Sequence, residues 1–292
     1  MRGRRYTAPP LTSTCSVVCR SYEKIISGES EIRKRKKPKT GFHNPIGAFR
    51  RKAEYNYGIE KSVRSRLIRN VGVMPNMEAA AHGLRLLKDT GVCLGQHTNI
   101  CVGKPCADPG LIPSLLDEYG SLKSSRSYRN AFQKGEETAK LDELVIEVEA
   151  QYFRFKELTG MEPGYFEAHA VASANLSRAL EIVAQRYNLK LLDMDYYNQK
   201  GSFCGKPVSI CPMGSMQQDY DPFQCLKDGI AGASEALPNI FVCHPGYLDD
   251  FILRSSSLTV NRTKEVSMLC DPAVRKWLDS QNIKLVTYDD IC

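Results

Sequence analysis

The chain has 292 residues and a formal net charge of +7 at pH 7, a length that suits one large α/β domain or two smaller ones. No window approaches the roughly 18 uninterrupted apolar residues of a transmembrane helix, which excludes one. The positive charge is concentrated at the start: residues 1–52 hold 14 Lys and Arg against three Glu, which leaves 26 basic against 30 acidic residues over 53–292. The body is therefore mildly acidic, which argues against a nucleic-acid-binding function.

The first part of the chain also differs from the rest in composition. The run Ile32-Arg-Lys-Arg-Lys-Lys-Pro-Lys39 is strongly basic and has no apolar periodicity. Such a run is most often a solvated, disordered tail, and less often a nuclear signal or an arm that binds polyanions. We therefore predict a basic N-terminal segment at 1–52 and a globular domain at 53–292.

The cysteines indicate free thiols rather than a disulfide scaffold. There are 11 of them, too few per residue for a disulfide-stabilised fold of this length, and none makes the paired CxxC spacing of a zinc ribbon. Cys93, Cys243 and Cys270 lie in apolar runs, where a thiol packs as a small hydrophobe. Because no hydrophobic signal peptide precedes the fold, we expect a reducing, cytoplasmic setting.

From Glu54 onward the chain alternates between helical and strand-like segments. Helical spacing of apolar residues predicts helices at 57–69, 77–89, 137–158, 175–187, 223–232, 262–269 and 272–280. Short apolar runs predict strands at 70–75, 91–97, 164–169, 189–194, 239–244 and 284–288. Residues 101–136 are rich in Gly and Pro and are predicted to form a long substrate-binding loop or lid, whereas 195–220 fit no element. The alternation predicts either a βα barrel or a doubly wound sheet.

Three of the five histidines end predicted strands: His97, His169 and His244. The carboxyl ends of parallel strands meet at one face of such a fold, where catalytic groups gather. Each histidine alone is equally well explained as a hydrogen-bonded core residue. Together they indicate a metal or acid/base site, in which two imidazoles and a carboxylate hold a divalent cation and the third imidazole donates a proton.

The motifs around these histidines resemble those of the YdjC-like carbohydrate deacetylases, the chitooligosaccharide deacetylase family. The motifs are Leu94-Gly-Gln-His-Thr-Asn99 with Gly103-Lys-Pro105, Pro163-Gly-Tyr-Phe-Glu-Ala-His169, and Val242-Cys-His-Pro-Gly-Tyr247 with Arg262-Thr-Lys-Glu265. The resemblance runs from about residue 54 to the end of the chain. It implies an irregular TIM-like βα barrel that removes acetyl groups from N-acetylated oligosaccharides with a divalent metal, commonly magnesium and alternatively zinc.

Carried over by position, the resemblance also implies site residues. His97 and His169 are expected to be metal ligands, and His244 is expected in the active-site mouth as a general acid. Glu167 supplies a carboxylate beside the second ligand, and Arg262 shapes the mouth with Glu265, unless the two form only a surface ion pair. The expected partner is a carbohydrate, no membrane is involved, and a homodimer is left open.

The chain departs from the family pattern at two places. After His169 it has Ala170-Val-Ala-Ser173, where the family has further histidines. The family also opens with a strand that ends in two aspartates, one for the metal and one as base, whereas the matching positions here are Gly47 and Ala48 and no Asp occurs in residues 1–52.

The missing aspartates lead to a structural expectation and to a choice of functions. Without its first strand the sheet is expected to have an unpaired edge or an open seam. Residues 1–52 would then not be the original beginning of the domain, for example after a frameshift or a mis-set start. Three functions stay open, namely an active deacetylase, another metal hydrolase on the same barrel, and a sugar-binding relative without turnover.

Overall fold

The computed structural model describes residues 15–21, 54–195, 198–234 and 236–292. Its strands are β1 Cys15–Ser21, β2 Asn70–Val73, β3 Cys93–Thr98, β4 Phe166–Ala168, β5 Leu192–Asp195, β6 Lys200–Phe203, β7 Lys206–Ile210, β8 Asn239–Cys243 and β9 Ile283–Val286. Its α-helices are α1 Glu54–Arg64, α2 Ala80–Leu87, α3 Ser125–Phe132, α4 Leu141–Thr159, α5 Ala174–Tyr187, α6 Pro222–Ala231, α7 Asp250–Ser255, α8 Val260–Cys270 and α9 Pro272–Ser280. The predicted alternation of strands and helices is confirmed.

The helix ends follow local sequence chemistry. Ser173 caps α5 by accepting a hydrogen bond from the backbone N–H of Leu176, and Asp221 caps α6 with Pro222 at the first helical position. Side-chain oxygens at such positions satisfy backbone donors that have no partner within the helix. At the other end, α4 stops at Gly160, whose φ of 71° places it in the left-handed region that glycine adopts without steric cost.

The described strands form one mixed sheet. Their order is β4-β3-β2-β1-β8-β7-β6-β5, and β9 pairs with β1. Strands β2, β3 and β4 are parallel, β7 is parallel to β8, and β5, β6 and β7 are joined as antiparallel hairpins. A single parallel bridge between Phe166 and Leu191 connects β4 to the residue that precedes β5. The α/β class is therefore confirmed, and the two ends of the strand order lie next to each other.

Alternate residues of the strands pack into different hydrophobic layers. In β8, Ile240 and Val242 belong to a cluster built mainly from strand residues. Phe241 and Cys243 belong to a second cluster, which also contains residues of α1, α8 and α9. Because successive side chains of a strand point to opposite faces, the residue after Cys243 returns to the strand-lined side. That residue is His244.

Strand β1 lies between β8 and β2, at the place where the sequence predicted that a strand is missing. It is antiparallel to both neighbours, with Cys15 in register with Cys243 on one side and Val71 on the other. The expected open seam is therefore not present at this position, because a strand of reversed direction from the N-terminal segment occupies it. Gly47, Ala48 and the basic run lie outside the described residues.

Several short elements were not predicted. Helix α3 lies inside the predicted loop at 101–136, where Ser124 caps it by accepting from Ser127 N. The hairpin of β6 and β7 lies inside 195–220, and α7 begins after the cap residue Asp249. Each element has at most eight residues, too few for hydrophobic periodicity to distinguish it from a loop.

The prediction of free thiols is confirmed for some of the cysteines but not for all of them. Cys93 and Cys243 are buried free thiols, and burial raises the pKa of Cys93 to about 12, so this thiol packs as an inert hydrophobe. Cys204, in the turn between β6 and β7, forms a disulfide with Cys292. The cysteine spacing did not predict this bond, and a reducing setting does not favour it.

Over the described ranges, no helix combines the length and the apolar character that crossing a bilayer would need.

Candidate functional site

Strands β3, β4 and β8 bring the three predicted histidines to the same end of the sheet. β3 and β4 are parallel neighbours, and β8 has the same direction as β2 because β1 is antiparallel to both. His97 lies in β3, His169 follows β4 and His244 follows β8. All three side chains are buried. The expectation that these histidines share one end of the sheet is confirmed.

The register between β3 and β4 places His97 directly beside Glu167. One step further, the backbone N–H of His169 donates to the carbonyl of Thr98 at 2.8 Å, which continues the ladder beyond the strand. His169 is therefore fixed by its own backbone close to the end of β3. Ala170, the next residue, has a φ of 49°, a left-handed conformation that costs energy for any residue with a Cβ.

Glu167, His97 and His169 form a hydrogen-bonded row. The Glu167 Oε1 atom is 3.0 Å from His97 Nδ1, and His97 Nε2 is 2.7 Å from His169 Nδ1. The two rings meet edge to face, with 4.7 Å between centroids. A carboxylate at one ring nitrogen fixes the proton there and directs the other nitrogen into the site. Glu167 thus orients His97 toward His169.

Burial keeps His169 neutral. It holds the pKa of His169 well below its usual value, and the charges of His97, His244 and Arg262 act in the same direction. The Nε2 atom of His169 has no hydrogen-bond partner among the described residues. A buried polar atom without a partner is costly, so this nitrogen is suited to receive a ligand.

His244 has a similar environment. Burial, together with the charges of Arg262 and His97, lowers its pKa to about 3. Its Nδ1 atom is buried and also has no partner within the described part of the chain. The ring is therefore neutral at physiological pH, with a nitrogen open to the interior of the site.

Arg262 and Glu265 both lie on α8 and both contact the backbone of His244. Arg262 Nη1 donates to the His244 carbonyl at 3.2 Å, and Glu265 Oε2 accepts from the His244 N–H at 2.5 Å. Both side chains are completely buried, so the alternative of a surface ion pair is wrong. Arg262 thus contacts the backbone that carries the His244 ring.

The donor set fits part of a metal site. His97 Nε2 and His169 Nδ1 lie 2.7 Å apart, the unpartnered nitrogen of His169 is Nε2, and Glu167 stands behind His97 as carboxylates commonly do behind metal-bound histidines. Among the described residues, however, no group of three His, Cys, Asp or Glu side chains is arranged to hold a metal ion. The described side chains therefore offer two adjacent imidazoles and a supporting carboxylate.

Helix α4 fixes the loop that follows His97. Gln151 accepts from the N–H of Asn99 and donates to its carbonyl. Glu147 accepts from the backbone N–H groups of Cys106 and Ala107. Burial raises the pKa of Glu147, while these hydrogen bonds oppose the rise. The loop is therefore attached to a rigid helix next to the histidine row.

This role of α4 was not predicted from the sequence. The helical spacing of apolar residues indicated only the core side of α4, which the buried residues Leu144, Val148 and Phe155 confirm. A polar stripe at Glu147 and Gln151, one helical turn apart, is the signal that could have indicated a second buried face.

The family model and similar named proteins indicate the same family. The family model described as YdjC-like protein matches residues 51–280. Carbohydrate deacetylase 2 of Listeria innocua serovar 6a is 28% identical, with 81% of this chain and 92% of the relative covered. Chitooligosaccharide deacetylase of Citrobacter koseri is 26% identical, with 81% and 93% covered. A solved structure from Enterococcus faecalis V583, named for cellobiose-phosphate cleavage, superimposes with a TM-score of 0.67 at 18% identity, covering 81% of this chain and 93% of that one.

Proposed function

Because the chain belongs to the YdjC-like protein family, whose model matches residues 51–280, we propose that it is a carbohydrate deacetylase. The proposed reaction is metal-dependent hydrolysis of the acetamide group of N-acetylated sugars such as chitooligosaccharides. The observation that carries the proposal is the buried row of Glu167, His97 and His169 at the strand ends. Two relatives support the proposal by their names, carbohydrate deacetylase 2 of Listeria innocua and chitooligosaccharide deacetylase of Citrobacter koseri.

We propose His97 and His169 as the residues that would hold the divalent metal. Such a cation supplies a water of lowered pKa and polarises the acetyl carbonyl. Imidazole nitrogen suits Zn²⁺ better than Mg²⁺, which prefers oxygen ligands. The test therefore includes both ions.

The other side chains act through hydrogen bonds and shape. Glu167 holds the proton on His97 Nδ1, so that the lone pair of Nε2 faces His169 Nδ1. His244 contributes a neutral ring whose Nδ1 has no partner within the described ranges, and its pKa of about 3 does not favour the expected role of general acid. We propose instead that this nitrogen forms a hydrogen bond to the reacting groups. Arg262 acts on the backbone of His244 and is proposed as a positioning residue.

We also infer that the sheet closes as an irregular TIM-like barrel. The bridge between Phe166 and Leu191 links the two ends of the strand order. A cluster made mainly of strand residues lies on one side of the strands, and clusters shared with helices lie on the other. A strand-lined core surrounded by helices is the layering of such barrels.

A second candidate is a sugar-binding relative without turnover. The observation that favours it is the lack of a third metal-binding side chain among the described residues. In the first candidate, water and substrate would have to fill the remaining metal positions. Another metal hydrolase on the same fold is a third alternative, because fold does not determine substrate.

Acetate release from N-acetylchitooligosaccharides tests the proposal. We expect activity that is lost with a chelator, is restored by Zn²⁺ or Mg²⁺, and falls by at least about a hundredfold in His97→Ala. The matched control is His82→Ala, because His82 lies on α2 and packs edge-on against Tyr57.

The two main candidates predict different results in this experiment. An oligosaccharide that binds by calorimetry without acetate release supports the second candidate. Both candidates would be contradicted if the protein neither bound the oligosaccharide nor released acetate, or if His97→Ala and His82→Ala lost equal activity.

A further inference from the structure

The backbone of His244 is held on both sides by charged side chains. Glu265 Oε2 accepts from its N–H at 2.5 Å, and Arg262 Nη1 donates to its C=O at 3.2 Å. Both side chains have 0% relative exposure. Glu265 and Arg262 lie one turn apart on α8, so one helix fixes both polar groups of this residue.

Each of the two charged groups has a tyrosine partner from another part of the fold. Tyr220 donates its hydroxyl proton to Glu265 Oε1 at 2.9 Å. Arg262 Nη1 donates to the hydroxyl of Tyr55 on α1 at 3.1 Å, and its Nε donates to the Leu258 carbonyl at 2.8 Å. Tyr220 and Tyr55 are buried. The hold on His244 therefore depends on three separate segments of the chain.

The turn that follows His244 is packed too closely to move toward α1. A Cβ added to Gly246 would lie 2.1 Å from the ring of Tyr55, and one added to Gly58 would lie 2.6 Å from Gly246 Cα. Carbon atoms in van der Waals contact are about 3.5–4.0 Å apart. Close packing on one side and hydrogen bonds from α8 thus leave the His244 backbone little freedom.

Glu265 is a buried carboxylate with a hydrogen-bond donor for each of its two oxygens. A buried carboxylate is stable only when it is hydrogen-bonded, and here its two oxygens accept from Tyr220 and from His244 N–H. Hydrogen bonds to charged groups are stronger than neutral ones. A shift of His244 would therefore leave Glu265 buried with an unsatisfied oxygen, and this cost opposes the shift.

We propose that Tyr220 and Glu265 are positioning residues that fix the His244 imidazole in the site, while Arg262 and Tyr55 hold the opposite side of the same residue. The inference rests on the proposed function, because His244 is a site residue only if that function is correct. Tyr220 lies in the part of the sequence where no element was predicted. It acts on His244 through Glu265.

Tyr220→Phe is the main test variant, with Tyr128→Phe as its matched control. Tyr128 is also a buried tyrosine, but its hydroxyl has no hydrogen-bond partner in the described part of the chain. Glu265→Gln is the second variant, since the amide keeps the size of the carboxylate and one acceptor oxygen. Circular dichroism verifies that each variant is folded.

The first measurement does not need activity. The chain has five histidines, so the imidazole C–H signals in a heteronuclear NMR spectrum are few, and His244→Gln assigns one of them. We expect Tyr220→Phe and Glu265→Gln to shift the His244 ring signal and the downfield His244 amide signal, and Tyr128→Phe to leave both in place. Unchanged His244 signals in the two folded test variants would overturn the proposal.

The second measurement uses acetate release. We expect the kcat of Tyr220→Phe to fall by about tenfold to a hundredfold with little change in KM, because the ring acts in turnover more than in substrate binding. A wild type that releases no acetate refutes the proposed function, and the NMR result then decides the positioning role separately. An active wild type with equal kcat in Tyr220→Phe and Tyr128→Phe refutes the positioning role alone.

Discussion

Gly58→Ala should destabilise the protein although it places a better helix former in the middle of α1. The added Cβ would lie 2.6 Å from Gly246 Cα, 2.8 Å from Gly246 C and 2.8 Å from Tyr247 N. All three atoms belong to the backbone, so no side chain can rotate away. The helix or the turn must instead move by about 1 Å to restore ordinary contact.

The magnitude follows from two opposing effects. Overpacking of this kind costs about 1–3 kcal/mol, and replacing glycine by alanine inside a helix returns at most about 1 kcal/mol. We therefore expect Gly58→Ala to lower the free energy of unfolding by about 1–2 kcal/mol. For a chain of this size the melting temperature should fall by several degrees, at about 2–4 °C per kcal/mol.

Gly83→Ala in α2 is the matched control. Its added Cβ would meet only side-chain atoms of Asn56, at 3.2 Å, and a side chain can adjust by a few tenths of an ångström. We expect this variant to be as stable as the wild type or up to about 1 kcal/mol more stable. Urea unfolding followed by circular dichroism measures both. If Gly58→Ala is as stable as Gly83→Ala, the close approach of α1 to the turn after His244 is incorrect.

Three further changes test other parts of the structure. Glu147→Ala removes the acceptor for the N–H groups of Cys106 and Ala107. We therefore expect the free energy of unfolding to fall by about 2–4 kcal/mol and trypsin to cleave the attached loop faster. An unchanged cleavage rate would contradict this. Ala170→Gly relieves a φ of 49° and should raise the free energy of unfolding by about 0.5–1 kcal/mol, whereas a lower melting temperature would argue against strain there. Burial raises the pKa of Glu265 from 4.5 to about 7. Because the pKa is higher in the folded state, this group's contribution to the free energy of unfolding is present at low pH and is lost as the pH rises through the folded-state pKa. The expected loss is about 3 kcal/mol between roughly pH 4.5 and 7. Glu265→Gln should remove that slope from the pH dependence of unfolding, and identical slopes would refute the role of this group.

The sequence was sufficient to locate the elements that carry the site. His97, His169 and His244 each end a short apolar run, and β3, β4 and β8 deliver them as predicted. The reason is local, since a strand alternates its side chains and ends where its apolar run ends. Parallel strands then place these ends together whatever the rest of the chain does.

The sequence could not indicate which strand fills the place beside β8. The family resemblance led to the expectation of an open seam, because no strand ending in two aspartates is present in residues 1–52. Strand β1 occupies that place in the opposite direction. Backbone pairing requires only a free edge and an extended segment, so composition alone cannot determine the direction or origin of the strand.

The partners of the site residues were likewise decided by the tertiary structure alone. Glu265 and Tyr220 are 45 positions apart, and Arg262 and Tyr55 are 207 apart, so no local pattern connects them. Hydrophobic periodicity and capping act within a few residues and can be read from the sequence. Which buried polar groups satisfy one another depends instead on how distant segments pack, and that packing determines how His244 is held.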